Sequence, residues 1–222
     1  MEKLFKTDSL IYLITEGAAT VENFSAASVE ILKIIRAAVE AKINFVQIRE
    51  KKLPSKSVFE LAEKAVKLAK NTPTKILIND RADIARAAHA DGVQLTSKSL
   101  PTEIIRQNFP KNFIIGVSTH NLAEAESAKT QGADFITFSP IFKTPSKEIY
   151  GAPQSLETLR EVCEKLKPFP VIALGGIDET NFKKILENGA GGFAAIRFLN
   201  NLVKHQNARE MPEILEKFGN ES

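Results

Sequence analysis

Eight short apolar runs alternate with segments of helical periodicity along this chain of 222 residues, and this alternation restricts the fold more than any other feature. Because the runs are apolar with little alternation, each predicts a strand buried on both faces, as in a parallel sheet. The amphipathic segments between them predict the helices that connect parallel strands. The runs are LIYLIT (10–15), FVQIRE (45–50), KILIND (75–80), GVQL (92–95), FIIGVS (113–118), DFITFS (134–139), PVIALGG (170–176) and GGFAAIR (191–197).

Eight strand and helix units in a chain of this length predict a single-domain (β/α)8 barrel, the TIM barrel fold. The alternative is an open doubly wound sheet, which more often has five or six strands. The glycine signature GxGxxG is absent after the first strand, where ITEGAAT (14–20) holds one glycine. No Pro/Gly/Ser-rich linker divides the chain. We therefore expect one domain over residues 1–222, with a barrel core at about 10–200 and a C-terminal helical extension over 201–222.

Composition excludes several classes of protein. The formal net charge is +3, from 30 basic and 27 acidic side chains of interspersed sign, so no nucleic-acid partner is expected. Cys163 is the single cysteine, which precludes an intrachain disulfide and favours a reducing compartment. No apolar run approaches a membrane span, and MEKLFKTDS lacks the apolar region of a signal peptide. We expect a cytoplasmic protein with no membrane partner; the sequence does not decide between a monomer and a homo-oligomer.

Polar side chains follow the predicted strands, at the positions where a barrel keeps its functional residues. They are Gln47, Arg49, Glu50 and Lys51 after strand two; Asn79, Asp80 and Arg81 after strand three; Thr96, Ser97, Lys98 and Ser99 after strand four; Ser118, Thr119 and His120 after strand five; Thr144, Ser146 and Lys147 in the segment SPIFKTPSKEIYGAP after strand six; Gly175 and Gly176 after strand seven; and Ala195, Ile196 and Arg197 at the end of strand eight.

The residue types at these strand ends indicate an anionic ligand. Arg49, Lys51, Lys147 and Arg197 supply positive charge, and the hydroxyls of Thr144 and Ser146 add hydrogen-bond donors. The glycine pair before the last strand predicts a backbone N–H cradle for a phosphate, although a tight turn would need the same residues. We therefore expect a phosphorylated or diphosphorylated small molecule.

Three further residues have two readings each. Asp80 is a lone acid among cations, which favours a Mg²⁺ ligand. Asn79 and Asp80 also suit a simple turn, since both residue types hydrogen-bond to nearby backbone. His120 is either a structural histidine in a turn or a proton-transfer group.

Seven motifs together resemble, in order and spacing, the thiamine phosphate synthase family and its sister branch, the TenI-like thiazole tautomerases. They are QIREK (47–51), INDRADIA (78–85), ADGVQL (90–95), GVSTH (116–120), GADFITFSPIFKTPSK (132–147), IALGGI (172–177) and ENGAGGFAAIR (187–197). The resemblance implies a (β/α)8 barrel that joins hydroxymethylpyrimidine diphosphate to thiazole phosphate. Diphosphate leaves first, and the thiazole nitrogen then attacks the pyrimidine carbocation, which yields thiamine phosphate.

The resemblance also implies residue roles. Gln47 contacts the pyrimidine, Asp80 ligates one Mg²⁺ per subunit, and Ser118 lies near the reacting methylene. Gly175 and Gly176, with Ala195, Ile196 and Arg197, receive the thiazole phosphate. The diphosphate is bound by Arg49, Lys51, Asn79, Thr144, Ser146 and Lys147. The expected catalytic residues are Ser118, Lys147 and Arg49, with His120 for the tautomerase.

One stretch departs from the family pattern. Synthases usually follow strand four with a HLGQED-like stretch whose final acid is the second Mg²⁺ ligand, whereas QLTSKSLP has Ser99 at that position and Lys98 before it. One carboxylate then suffices at weaker affinity, or Lys98 replaces part of the charge of the metal, or the activity has changed. The tautomerase branch also lacks this acid and uses a histidine that His120 matches.

The residues that remain favour the synthase over two alternatives. Gln47, Asn79 with Asp80, and the set of Thr144, Ser146 and Lys147 suit a pyrimidine diphosphate and have no obvious use for a thiazole alone. A non-catalytic ligand-binding homologue would have lost the diphosphate cluster, which is largely intact. Phosphoribosylanthranilate isomerase, another phosphate-binding barrel, is excluded because its Cys and Asp acid/base pair at strand ends one and six is absent.

Overall fold

Each of the eight apolar runs forms a strand, and each strand is followed by a helix. The computed structural model describes residues 9–143 and 153–205. In chain order, their elements are β1 (Leu10–Ile14), α1 (Phe24–Glu40), β2 (Phe45–Ile48), α2 (Ser55–Ala69), β3 (Lys75–Asn79), α3 (Ala82–Ala87), β4 (Gly92–Leu95), α4 (Thr102–Asn108), β5 (Ile114–Thr119), α5 (Leu122–Thr130), β6 (Phe135–Phe138), α6 (Leu156–Leu166), β7 (Val171–Leu174), α7 (Phe182–Glu187), β8 (Gly192–Ala195) and α8 (Arg197–His205).

All strand pairs are parallel, and the sheet closes between β8 and β1, where Leu10 lies beside Gly192 and Tyr12 beside Ala194. This confirms the predicted (β/α)8 barrel. Most strands end before the apolar runs do: β2 ends at Ile48, so Arg49 begins a loop, and β8 ends at Ala195, so Arg197 is already the first residue of α8. The predicted polar residues therefore divide into two groups. Residues such as Arg49, Lys51 and Asp80 lie in the βα loops, whereas Gln47, Asn79, Ser118 and Thr119, predicted to follow their strands, are still within them.

The core has two layers separated by the strands. Between the strands and the helices lies the larger layer, which includes Val46, Ile76 and Leu61. Inside the barrel, Tyr12, Phe45 and Phe135 form an aromatic cluster with ring centroids 5.3–5.9 Å apart. The interior is thus a packed core with no channel, and a ligand has access only at the ends of the barrel.

The first and last units of the barrel are joined by side chains of α8. Asn200, which is fully buried, donates from Nδ2 to the backbone oxygens of Ile14 and Ile196, each at 2.7 Å. Lys204 forms an ion pair with Glu16 at 2.8 Å. These contacts link the ends of β8 and β1 to one helix. Among residues 9–143 and 153–205, no helix has the length and apolar character needed to cross a membrane.

Candidate active site

Five neighbouring strands carry one inward polar side chain each, near the end where their loops begin. These residues are Gln47 on β2, Asn79 on β3, Gln94 on β4, Ser118 on β5 and Thr137 on β6. On β2 and β6 the polar residue comes two positions after an aromatic residue of the interior core, and side chains two apart share a face of a strand. The polar layer therefore lies directly between the aromatic core and the mouth of the barrel.

A chain of hydrogen bonds runs through this layer from Tyr12 to Asp80. The Tyr12 hydroxyl lies 3.1 Å from Gln47 Oε1, Gln47 Nε2 donates to Asn79 Oδ1 at 2.9 Å, and Asn79 Nδ2 donates to Asp80 Oδ2 at 2.6 Å. Burial raises the pKa of Tyr12 well above its ordinary value, so the hydroxyl stays protonated. Because an ionised carboxylate only accepts, Asp80 determines the direction of both amides.

A second branch starts from the same hydroxyl. Tyr12 Oη lies 3.2 Å from Gln94 Oε1, and Gln94 Nε2 donates to Ser118 Oγ at 3.1 Å and to Thr137 Oγ1 at 3.3 Å. Gly116 makes room for this arrangement, since a Cβ there would lie 2.4 Å from both Gln94 Oε1 and the Phe135 ring. Ser118, predicted to lie near the reacting carbon, is thus connected to Gln47, predicted to contact the pyrimidine.

Asp80 is held from three sides. Its backbone has a positive φ of 59°, and its N–H donates to the Gln94 carbonyl at 2.9 Å. Carboxylate Oδ1 accepts from Thr96 Oγ1 at 2.8 Å and from Ser99 Oγ at 2.5 Å, while Oδ2 accepts from Asn79. Ser99, at the position where the family pattern has a second acid, therefore binds Asp80 directly.

Lys51, one of the cations predicted to bind the ligand, interacts electrostatically with Asp80 and with two other cations, Arg49 and Lys98. Lys51 has a pKa lowered by burial and by the repulsion of Arg49 and Lys98, partly offset by Asp80. Within the described part of the chain, none of these three cations forms an ion pair. An anion at this end of the barrel would therefore meet three positive side chains that have no carboxylate partner there.

Two charged residues near the mouth have local partners. Arg81 forms an ion pair with Asp83 and donates to Ser55 Oγ at 2.7 Å, which holds it on the outside of the barrel. Glu50 is 4% exposed and accepts from the Thr15 hydroxyl at 2.7 Å and from the Ala19 N–H at 2.9 Å. The Thr15 oxygen also accepts the Arg49 N–H at 2.9 Å, so Glu50 supports the backbone of Arg49.

The residues around Asp80 do not fit the Mg²⁺ that the resemblance implies. Among the described residues, no three His, Cys, Asp or Glu side chains come together as a metal site. Both oxygens of Asp80 already accept hydrogen bonds, and the cations around Lys51 oppose a further positive charge. The Mg²⁺ that the resemblance implies stays a prediction.

His120 has a defined tautomer. Its Nδ1 lies 2.7 Å from the Ser139 carbonyl, its N–H donates to Glu124 Oε2 at 2.7 Å, and its carbonyl accepts from Gln154 Nε2 at 2.8 Å. Because a carbonyl only accepts, Nδ1 carries the hydrogen, and a neutral ring then has its lone pair on Nε2. The contacts are those of a well-anchored turn, and Nε2 is the ring nitrogen that they leave for a ligand.

The Gly175 and Gly176 pair allows a neighbouring loop to approach. Both residues have positive φ, of 108° and 67°. The chain after β6 lies against them: Phe142 N donates to the Gly175 carbonyl at 3.0 Å, and a Cβ at Gly176 would be 2.8 Å from the Lys143 carbonyl oxygen. This close packing explains the glycines by itself, so the phosphate cradle stays a prediction.

The remaining predicted residues are placed as follows. Ala195 packs into the outer layer, so only its backbone could face a ligand, while Ile196 packs against the interior core. Arg197 is exposed at the start of α8. Thr144, Ser146 and Lys147 lie outside the described residues.

Sequence reasoning did not identify Tyr12, Gln94 and Thr137 as parts of the site. All three lie inside apolar runs, where a single polar residue does not by itself indicate a site. Their spacing carried a signal, because Thr137 is two positions after Phe135, and alternate residues of a strand share a face. Counting inward positions in steps of two along each strand would have found them.

The chain is thus a closed (β/α)8 barrel with a polar network at the carboxyl ends of its strands. The cations there form no ion pair within residues 9–143 and 153–205, so the barrel is suited to an anionic small molecule. The family model of thiamine monophosphate synthase matches residues 11–199, and the chain belongs to this family. A relative from Geobacter sulfurreducens, which carries the provisional name of a thiamine-phosphate synthase, is 40% identical over 86% of both chains. The thiamine-phosphate synthase of Syntrophomonas wolfei is 34% identical over 96% of this chain and all of its own.

Solved structures agree with this assignment. The thiamine phosphate pyrophosphorylase from Pyrococcus furiosus is 28% identical, with a TM-score of 0.73, and the match covers 93% of this chain and 96% of that one. The family predicted from the motifs is thus confirmed.

Proposed function

We propose that this protein is a thiamine phosphate synthase, a transferase that joins hydroxymethylpyrimidine diphosphate to thiazole phosphate and releases diphosphate. The observation that carries the proposal is the hydrogen-bond chain from Gln47 through Asn79 to Asp80, beside the cations Arg49 and Lys51. It provides an amide of fixed direction for a heterocycle next to positive charge for a diphosphate. Family membership gives these substrates their identity.

The reaction needs one bond to break and one to form. The bond between the pyrimidine methylene carbon and the diphosphate oxygen breaks, and its electron pair leaves with the diphosphate. The lone pair of the thiazole ring nitrogen then forms the new C–N bond, so the positive charge moves from the carbocation to the thiazolium ring. No protein nucleophile and no proton transfer are required.

The protein therefore contributes electrostatics and positioning. Arg49 and Lys51 stabilise the charge that develops on the leaving diphosphate, as preorganised cations do best where water is scarce. Gln47 orients the pyrimidine, and Ser118, tied to the same network through Gln94, lies beside the reacting carbon. Holding both substrates in line replaces a bimolecular encounter with an intramolecular step.

Thiazole tautomerisation is the second candidate, and one observation favours it. The Nδ1 atom of His120 lies against the Ser139 carbonyl, which leaves the lone pair of a neutral ring on Nε2, where it could take a proton from a thiazole. The synthase is preferred because Gln47, Asn79 and Asp80 form a network that a thiazole substrate would not use.

The deciding experiment incubates the full chain with both synthase substrates and follows thiamine phosphate and diphosphate over time. We expect both products in equal amounts, and Lys51→Gln should slow their formation while Lys111→Gln, before β5 at the opposite end of the barrel, should not. Absence of product, together with thiazole tautomer interconversion that is lost in His120→Ala, would assign the chain to the tautomerases.

A further inference from the structure

The geometry points to a diphosphate site that works without a divalent metal ion, in which Lys98 supplies charge that a metal would otherwise bring. The inference rests on the proposed function for the identity of the ligand, and it concerns how this chain holds that ligand. It also assigns a role to Lys98, in the turn between β4 and α4.

The hydrogen bonds of Asp80 leave little room for a metal ion at its carboxylate. Thr96 Oγ1 donates to Oδ1 at 2.8 Å, Ser99 shares that oxygen, and Asn79 Nδ2 donates to Oδ2 at 2.6 Å. A carboxylate has about four acceptor sites, and neutral donors already occupy three of those on Asp80. A cation would have only the remaining site on Oδ2, and displacing Asn79 from that oxygen would also leave the Gln47 amide without its fixed direction.

The turn that carries Ser99 places Lys98 beside Asp80. The Ser99 N–H donates to the Thr96 carbonyl at 3.0 Å, the Thr96 N–H donates to Ser99 Oγ at 2.8 Å, and the Lys98 N–H lies 3.3 Å from Thr96 Oγ1. These bonds tie the turn to Asp80 and place the backbone of Lys98 beside it. The Lys98 side chain is exposed and extends from this anchored turn.

The charges around Lys51 also favour an anion. Repulsion by Arg49 and by Lys98 lowers the pKa of Lys51, after the larger effect of burial, and attraction by Asp80 partly offsets it. Arg81 does not add to this set because it is paired with Asp83. Among the described groups that interact with Lys51, itself included, three positive charges face the single negative charge of Asp80, which disfavours a divalent cation and favours a polyanion.

The test is calorimetric titration of the full chain with inorganic pyrophosphate, once in EDTA and once in magnesium chloride. We expect binding in EDTA with a Kd within about threefold of the value in magnesium, because charge-assisted hydrogen bonds from the protein supply the affinity. Binding in magnesium with none in EDTA would overturn the inference.

Two variants identify the residue responsible. Lys98→Gln should weaken pyrophosphate binding in EDTA by about tenfold, the loss expected for one hydrogen bond to a charged group. Lys111→Gln makes the same change of charge at the opposite end of the barrel and should have no effect. Equal affinities for the Lys98 variant and the unchanged chain would contradict the assignment of Lys98.

Ser99→Asp tests the same idea in the opposite direction. A second carboxylate beside Asp80 should weaken binding in EDTA, and magnesium should restore it. Thermal unfolding in magnesium reports whether this variant folds. A folded Ser99→Asp protein that binds pyrophosphate in EDTA as well as the unchanged chain does would count against the charge argument.

The outcome is separable from that of the proposed function. Thiamine phosphate formation together with pyrophosphate binding that requires magnesium would keep the function and refute the inference. Pyrophosphate binding in EDTA together with no thiamine phosphate under any metal condition would keep the inference and refute the function.

Discussion

The side-chain amide of Asn79 donates from Nδ2 to Asp80 Oδ2 at 2.6 Å, and this contact fixes the orientation of the amide. Since its nitrogen faces the carboxylate, its oxygen faces Gln47 and accepts from Nε2 at 2.9 Å. The Gln47 oxygen in turn faces Tyr12. The direction of the Gln47 amide, which is predicted to contact the pyrimidine, is therefore set by a carboxylate two side chains away.

Asn79→Ala removes both contacts of this amide. Gln47 is 2% exposed, so its Nε2 then loses a partner that water does not readily replace. We expect the free energy of unfolding to fall by about 1–3 kcal/mol, the cost of an unsatisfied buried donor. Urea denaturation measures this, with Asn201→Ala on the exposed face of α8 as the control. Equal losses in the two variants would show that the network contributes nothing.

Asp80 combines a carboxylate that is predicted to be functional with a backbone conformation that L-residues disfavour, at φ 59°. Asp80→Ala and Asp80→Gly both remove the carboxylate, so each should lower synthase turnover by about 10²-fold or more, the loss seen when a key preorganised group is removed. Only the alanine variant keeps the backbone strain at residue 80, because glycine adopts a positive φ without a steric cost. We expect Asp80→Gly to be more stable than Asp80→Ala by about 0.5–1 kcal/mol, after the entropy that glycine adds to the unfolded chain.

Urea denaturation of the two Asp80 variants tests the backbone part of this prediction, and the product assay tests the other. An alanine variant as stable as the glycine variant would mean that the backbone at residue 80 relaxes once the carboxylate is gone. Full turnover in either variant would remove Asp80 from the site.

The barrel itself could be predicted because the pattern of burial repeats eight times. Each run, such as Ile76–Ile78, is apolar at successive positions, and only a strand covered on both faces needs that. The exact ends of the strands could not be predicted, since residues such as Arg49 continue the strand pattern in sequence but leave the sheet in the structure.

The site was predictable where residues stand at strand ends, as Gln47, Asn79 and Ser118 do. It was not predictable where contacts depend on closure of the sheet. Ser99 and Asp80 are 19 residues apart, and their hydrogen bond exists only because β3 and β4 are neighbours whose loops turn toward each other. Nothing in the letters QLTSKSLP specifies that the Ser99 hydroxyl points at a carboxylate.

Cys163 provides a test of the packing around α6. Burial, with a smaller effect of Glu164, raises the pKa of its thiol to about 12. Only about one thiol in ten thousand is then ionised at pH 8, and the thiolate is the reactive form. We expect Ellman's reagent to react at least about a hundredfold more slowly with the folded chain than with the chain in urea, where the pKa is ordinary.

The raised pKa of the Cys163 thiol also makes the stability of the folded chain depend on pH. The folded chain holds the thiol proton more tightly than the unfolded chain does, so the contribution of Cys163 to stability falls as the pH rises above 9, toward 12. In Cys163→Ala, this part of the decrease in stability at alkaline pH should be absent.

For the reactivity test, rapid reaction of the folded protein with Ellman's reagent would mean that α6 opens readily.

Variants of His120 distinguish the synthase reaction from the tautomerase reaction. The synthase step transfers no proton, so His120→Ala should retain most of the thiamine phosphate formation, whereas a tautomerase would lose its activity. His120→Asn is the matched variant, because its amide can still donate to the Ser139 carbonyl that Nδ1 reaches at 2.7 Å, but it provides no base. If both variants lose thiamine phosphate formation equally while remaining folded, His120 takes part in the synthase reaction and the mechanism without proton transfer is wrong. If only the alanine variant loses it, the histidine acts through its contact with Ser139.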